Sequence, residues 1–178
     1  MKKLKLLTFL LLLSSISFSQ GKKKLIKEGN KLYNDSSYNL AEMKYRKSLE
    51  KDQGYFNASF NLADAVYKQE RYEESTSFFE SLKDNARNDQ ELANINHNLG
   101  NSLLKENKID LAIEAYKTSL RINPNDEDTR YNLAYVQKMK QQQDQKEQQQ
   151  DQKEQQQDQK EQQQDQKEQQ QDQKEQQQ

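Results

Sequence analysis

Apolar residues recur at spacings of three and four through the middle of the chain, the mark of amphipathic helices. From Leu99 onward the pattern is explicit. Leu99, Leu103 and Leu104 make one helical face, Asn107-Lys108 marks a turn, and Leu111, Ala112, Ala115, Tyr116 and Leu120 make a second face that Pro124 ends. The same pattern occurs three times. NLADAVYK starts at Asn61, NLGNSLLK at Asn98 and NLAYVQKM at Asn132. The small residues Gly29, Ala63, Gly100 and Ala134 are spaced by 34, 37 and 34. The three extra residues fall between Asp84 and Asp89, where a polar loop absorbs them at little entropic cost. Each unit therefore reads as two helices. The small residues at Gly100 and Ala112 allow the close crossing that paired helices require. The rings Tyr45, Phe79 and Tyr116 are expected to fill the space between one pair and the next.

These residues resemble the tetratricopeptide repeat (TPR). The third unit supplies Leu99, Gly100, Leu103, Ile109, Ala112, Tyr116, Ser119 and Pro124 at the family's offsets. The first supplies Gly29, Leu32, Tyr38, Ala41, Tyr45 and Ser48, and the second Leu62, Ala63, Val66, Tyr72, Ser75 and Phe79. The family's Trp is replaced by Leu25, Ser59 and Asn96, and Gln53 and Arg87 stand where the first two units should close with Pro. The resemblance implies an all-α, α-α superhelix of about three helix pairs over residues 22–140, with units near 22–55, 56–92 and 93–126. Residues 126–140 then form a capping helix. Asn125 and Asp126 are its N-cap candidates, and Arg130, Gln137 and Lys138 give it a polar outer face.

Both ends of the chain differ from this middle. Lys2, Lys3 and Lys5 precede a short apolar run, Leu6 to Leu13, and then a small polar segment with Ser17 and Ser19 ahead of Gln20. That is the layout of a secretory signal peptide over residues 1–19, and it predicts a periplasmic or secreted protein. The run is too short for a membrane span, and with no Cys after it there is no lipoprotein anchor. Residues 141–178 repeat QQQDQKE five times and close with QQQ, without one apolar side chain. A heptad period with no apolar seam does not make a stable coiled coil. Like charges at Glu147 and Asp151 give no helical support. The expectation is a disordered or loosely helical tail, serving either as a spacer or Gln-rich self-association element, or as a repeat expansion with no dedicated role.

Composition narrows the chemistry. With 178 residues, no Cys and one His, the chain has no thiol nucleophile and no Cys- or His-rich metal site. A net charge of −1 gives no field for gripping nucleic acid. No Gly-rich phosphate loop or metal-ligand spacing appears. No catalytic residues, metal or cofactor are assigned, and the chain reads as a non-enzymatic binding protein without a small-molecule substrate.

By the same resemblance, the first helices line a concave groove. Its positions are Ile26, Asn30 and Tyr33 in the first unit, and Phe60, Asn61, Asp64 and Tyr67 in the second. The third contributes Asn94, His97, Asn98, Asn101 and Leu104, and the cap Tyr131, Asn132 and Tyr135. Rings supply apolar area, and an Asn amide both donates to and accepts from a peptide backbone. Asn61, Asn98 and Asn132 share one offset. They form either a ladder that holds an extended peptide by its main chain or a set of helix-compatible surface residues. Family members that clamp a C-terminal carboxylate use groove cations where this chain has Ile26, Asn94 and Asn98, which argues against acidic chaperone tails as ligands.

The ensemble of signal segment, three units and Gln-rich tail is similar to the BatC-like tetratricopeptide proteins of bacterial aerotolerance (Bat) operons. The residues carrying the likeness are Asn123-Pro124-Asn125-Asp126 and Thr129 to Gln143. It implies von Willebrand-type membrane proteins as partners in a stress-related envelope complex. The leading expectation is an adaptor that docks a partner segment in its groove, with contact to the membrane only through partners. The alternative is a structural spacer or self-associating envelope protein acting through its tail.

Overall fold

The computed structural model describes residues 21–175; the signal segment lies outside them. Seven α-helices run in order: α1 (21–34), α2 (Tyr38–Lys51), α3 (Phe56–Lys68), α4 (Tyr72–Leu82), α5 (Asp89–Lys105), α6 (Ile109–Ile122) and α7 (Glu127–Glu175). No strand occurs among the described residues, and no described helix is long and apolar enough to cross a membrane. Contacts divide the chain into a unit ending at Val136 and a second starting at Gln137. In the first unit, α1–α2, α3–α4 and α5–α6 are the three pairs.

Each pair closes through the same turn. Ser36, Glu70 and Asn107 adopt left-handed φ values of 57°, 63° and 60°. Around each, the following N–H reaches back to a carbonyl five residues earlier: Ser37 to Leu32 at 2.8 Å, Arg71 to Val66 at 3.2 Å and Lys108 to Leu103 at 2.9 Å. This is the Schellman closure of a helix, which satisfies carbonyls that the helix end leaves without partners. Edge-on rings span the first two turns, Tyr33 against Tyr38 at 5.2 Å and Tyr67 against Tyr72 at 5.4 Å.

Inside a pair, the helices approach over a missing side chain. A Cβ built on Gly29 would lie 2.5 Å from the Tyr45 ring, and one on Gly100 2.6 Å from the Tyr116 ring. Tyr45, Phe79 and Tyr116 are all essentially inaccessible to solvent. The tyrosine rings therefore rest on the small residue of their own pair, and their hydroxyls donate to an asparagine of that same pair. Buried serines complete the pairing: Ser48 Oγ donates to Lys22 O at 3.1 Å, Ser75 Oγ to Ala63 O at 3.0 Å and Ser119 Oγ to Ala93 O at 2.9 Å. Buried hydroxyls satisfied in this way cost little.

Between pairs, a charged cluster joins α2 to the next turn. Glu42 accepts from Arg71 at 2.7 Å, Gln69 at 2.8 Å and Arg46 at 2.8 Å. Burial opposes its negative charge, but these hydrogen bonds outweigh it and hold the carboxyl below its usual range. One pair later, Thr76 donates to Glu106, which also pairs with Lys108 Nζ at 2.7 Å.

The three extra residues of the middle unit do not form a plain loop. A short 3-10 turn, Lys83–Asn85, follows α4, and α5 runs 17 residues against 13 in α3. Asn88 caps α5 by accepting from Glu91 N at 2.9 Å. Arg87, standing where the repeat should have Pro, places its guanidinium 4.9 Å from the Phe56 ring centroid and donates to Asn57 Oδ1 at 2.9 Å. Those contacts tie the start of α5 to the start of α3 without a proline.

From Gln137 the second unit is helical to Glu175. Its described pairs are local, such as Gln143 Nε2 to Glu147 at 3.0 Å, Gln150 Nε2 to Glu154 at 3.1 Å and Lys140 to Asp144 at 3.3 Å. Such pairs contribute about 0.2–0.5 kcal/mol each.

Two substitutions test the pairing. Gly100→Ala forces a methyl into a buried ring and should lower stability by about 1–3 kcal/mol, read from urea denaturation. Glu70→Asn relieves a left-handed backbone at a residue type that avoids it, and should raise stability by about 0.5–1 kcal/mol in the same assay. A neutral Gly100→Ala would show that the pair is loosely packed.

Candidate peptide groove

Helices α1, α3, α5 and the start of α7 share one side of the first unit, and two concavities open there. The first, about 210 Å³, is lined by Asn30, Tyr33, Asn34, Tyr45, Asn61 and Asp64. The second, about 290 Å³, is lined by Tyr67, Asn101, Leu104, Lys105, Tyr131, Asn132 and Tyr135. Ten of the fifteen groove positions expected from the sequence thus fall into two clusters. Asn34, Tyr45 and Lys105 complete the lining; the sequence places Tyr45 between pairs, while Asn34 and Lys105 each lie four residues, one helical turn, beyond an expected groove Asn.

The other five lie elsewhere. Phe60 is half-buried, stacked on Phe56 at 6.1 Å and edge-on to Phe79 at 5.6 Å. Asn94 is exposed and accepts from Gln90 at 2.9 Å. Asn98 is half-buried and sits 3.4 Å from Asn101 Nδ2. Ile26 is a core residue, 8% exposed.

His97 lines neither of these two concavities. Its Nδ1 lies 2.5 Å from Thr129 Oγ1, and Thr129, fully buried, lies 2.7 Å from Asp126 Oδ2. An ionised carboxylate only accepts, so the Thr129 hydroxyl donates to Asp126 and His97 Nδ1–H donates to Thr129. His97 therefore joins α5 to the first turn of α7, where Asp126 also caps Thr129 N at 3.0 Å.

The asparagines follow a repeated scheme. Asn30 Oδ1 accepts from the Tyr45 hydroxyl at 2.9 Å and from Asn61 Nδ2 at 2.8 Å. Asn101 Oδ1 accepts from the Tyr116 hydroxyl at 2.7 Å and from Asn132 Nδ2 at 3.0 Å. Each carbonyl oxygen fills both lone pairs. Asn61 and Asn132, two rungs of the expected ladder, thus each commit an amide N–H to the preceding unit. Burial, with the nearby Asp64 charge, pushes Tyr45 up to about 12 despite the opposing contact with Asn61. Burial likewise raises Tyr116.

A larger cleft, about 530 Å³, lies among Glu70, Arg71, Tyr72, Glu73, Glu74, Lys105, Glu106 and Lys108. Several of its charges neutralise one another in the pairs already described, and Arg71 also donates to Glu74. Among the described residues no group of three or more His, Asp or Glu side chains could hold a metal ion.

Stacked pairs with Schellman turns, small crossing residues and a concave side define a helical-repeat protein of the tetratricopeptide fold. A TPR repeat family model matches residues 100–141. The first TPR of Spaghetti (RPAP3) bound to HSP90 peptide SRMEEVD is similar at 20% identity and a TM-score of 0.63, over 68% of this chain and 94% of that one. The Sgt2 TPR domain from Aspergillus fumigatus is similar at 17% identity and 0.64, over 70% and 82%. MamA from Desulfovibrio magneticus RS-1 is similar at 20% identity and 0.62, over 67% and 66%. At these identities the likeness establishes the fold. No curated protein matches the sequence.

The half-buried imidazole gives this unit a pH signature. Burial lowers the His97 pKa, against the pull of Asp126 and Asp128. A histidine whose folded pKa is depressed stabilises the fold above its unfolded value, near 6.5, and loses that contribution as pH falls through the folded value. Asp126 is also shifted down, because its hydrogen bonds from Thr129 outweigh burial. Its own contribution is lost only below its unfolded value, near 3.8. The melting midpoint should therefore drop in two separate windows. His97→Asn, which keeps a donor near Nδ1, should remove the upper one. An unchanged upper window in that variant would exclude His97 as its source.

Proposed function

We propose that the chain is a non-enzymatic protein-interaction adaptor that docks an extended segment of a partner along the side formed by α1, α3, α5 and the start of α7. The observation that carries this reading is the second concavity. Tyr131 and Tyr135 are 73% and 52% exposed there, large rings left open to solvent. Exposed aromatics beside amides are what a peptide needs: apolar area with little entropy to lose, and hydrogen bonds for its backbone. A structural neighbour, the first TPR of Spaghetti, is described as bound to an HSP90 peptide, which supports a peptide-docking use of the fold.

The amino-terminal segment supports a periplasmic site of action, and the likeness to Bat-operon proteins supports von Willebrand-type membrane proteins as partners. On this reading the tail is dispensable for docking.

Photo-crosslinking in intact cells tests the proposal. A benzoylphenylalanine placed at Tyr131 should capture a discrete partner, and one placed at the exposed Leu111 should not. Adding Tyr67→Ala with Tyr135→Ala should reduce capture at least tenfold, whereas deleting residues 141–178 should leave it intact. Equal capture at both positions, or loss of capture on tail deletion alone, would refute docking in the groove.

A further inference from the structure

The repeated asparagine scheme breaks once, in the middle unit. In the first and third units, Asn30 and Asn101 give their side-chain oxygen to a tyrosine hydroxyl and to the next unit's amide. The matching residue of the second unit is Asp64, and the matching ring is Phe79, which has no hydroxyl. Asp64 therefore receives no hydroxyl from that ring. Asp64 forms no ion pair among the described residues. The Tyr33 hydroxyl lies near it, and both line the first concavity. A carboxylate has about four lone-pair positions, so capacity remains.

Asp64 is also the one charged group among the described lining of the first concavity. Around it stand the Tyr33 and Tyr45 rings and the Asn30, Asn34 and Asn61 side chains. Asn61 has committed its amide N–H to Asn30, which leaves its carbonyl oxygen as a further acceptor. The tyrosines cannot share the negative charge, since burial foremost, and the Asp64 charge after it, keep Tyr33 protonated. The concavity thus sets a half-buried carboxylate beside the Asn61 amide oxygen and two ring faces. At about 210 Å³ it is below the usual 300–1,000 Å³ of small-molecule sites and suits a single side chain.

From this we infer that the Asp64 concavity is a specificity pocket for a Lys or Arg side chain of the docked segment. The cation pairs with the carboxylate, its N–H groups reach amide oxygens, and the aliphatic stem lies against tyrosine. The inference rests on the groove-docking reading and adds partner chemistry to it: a basic segment, opposite in charge to the three carboxylate side chains of the peptide SRMEEVD.

Arrays of short acetylated and amidated peptides test it, with random flanks and a fixed central Lys, Arg, Glu or norleucine, probed with the labelled full chain. The expected result is a preference of about tenfold for Lys or Arg over Glu, which Asp64→Asn abolishes and Asp64→Lys inverts. Tyr67→Ala with Tyr135→Ala should weaken all four sets together. The wild-type preference needs no variant, so a poorly folded substitution does not obscure it. Binding that depends on Tyr67 and Tyr135 but ignores the central charge would overturn the pocket and leave the groove standing. Binding that no groove substitution alters would overturn both.

Discussion

The fold depends on one steric fact: a tyrosine ring of the second helix needs a first helix with no side chain beneath it. At Gly29 and Gly100 a single added methyl would meet the ring well inside van der Waals distance. Close approach then gives the ring a dry bed, and a dry ring with a polar tip must place that tip on a partner. The hydroxyls of Tyr45 and Tyr116 find theirs in Asn30 and Asn101. Those oxygens in turn receive an amide from the following unit. A packing requirement inside one pair therefore becomes a polar bond between pairs.

That chain of consequences sets what the concave side can offer. Where the ring is tyrosine, the asparagine at its tip is part of the architecture. Where the ring is Phe79, the scheme has no donor, and the corresponding residue is a carboxylate with room to act. Phe60, stacked on Phe56 and edge-on to Phe79, supplies apolar contact where the middle unit lacks a hydroxyl. Stability and recognition thus draw on the same positions, and a one-atom difference in the ring decides which use a position serves.

The end of the repeat array is handled by charge and burial together. Thr129 and Val136 of α7 are fully buried, while Arg130 and Ala134 are exposed. Ala134 holds the small-residue place of a further pair, and among the described residues α7 runs on with no second helix after it. Exposing alanine there costs little apolar area. The link through Asp126, Thr129 and His97 fixes the first turn of this helix.

Local chemistry made much of this legible from the residues alone. The three- and four-residue spacing, the small residues 34 and 37 apart and the Asn107-Lys108 turn follow from helix geometry, and a helix is a short-range object. Ten residues that line the two concavities could be picked for the same reason, since a face of a helix repeats along its own sequence. What the sequence could not decide is which of those polar groups are already spent. Asn61 and Asn132 bond to residues 31 positions away, and His97 to one 32 positions away. Such partners are chosen by the register of one pair against the next. That register is a product of ring size, crossing distance and turn geometry acting together, and no single residue spacing encodes it.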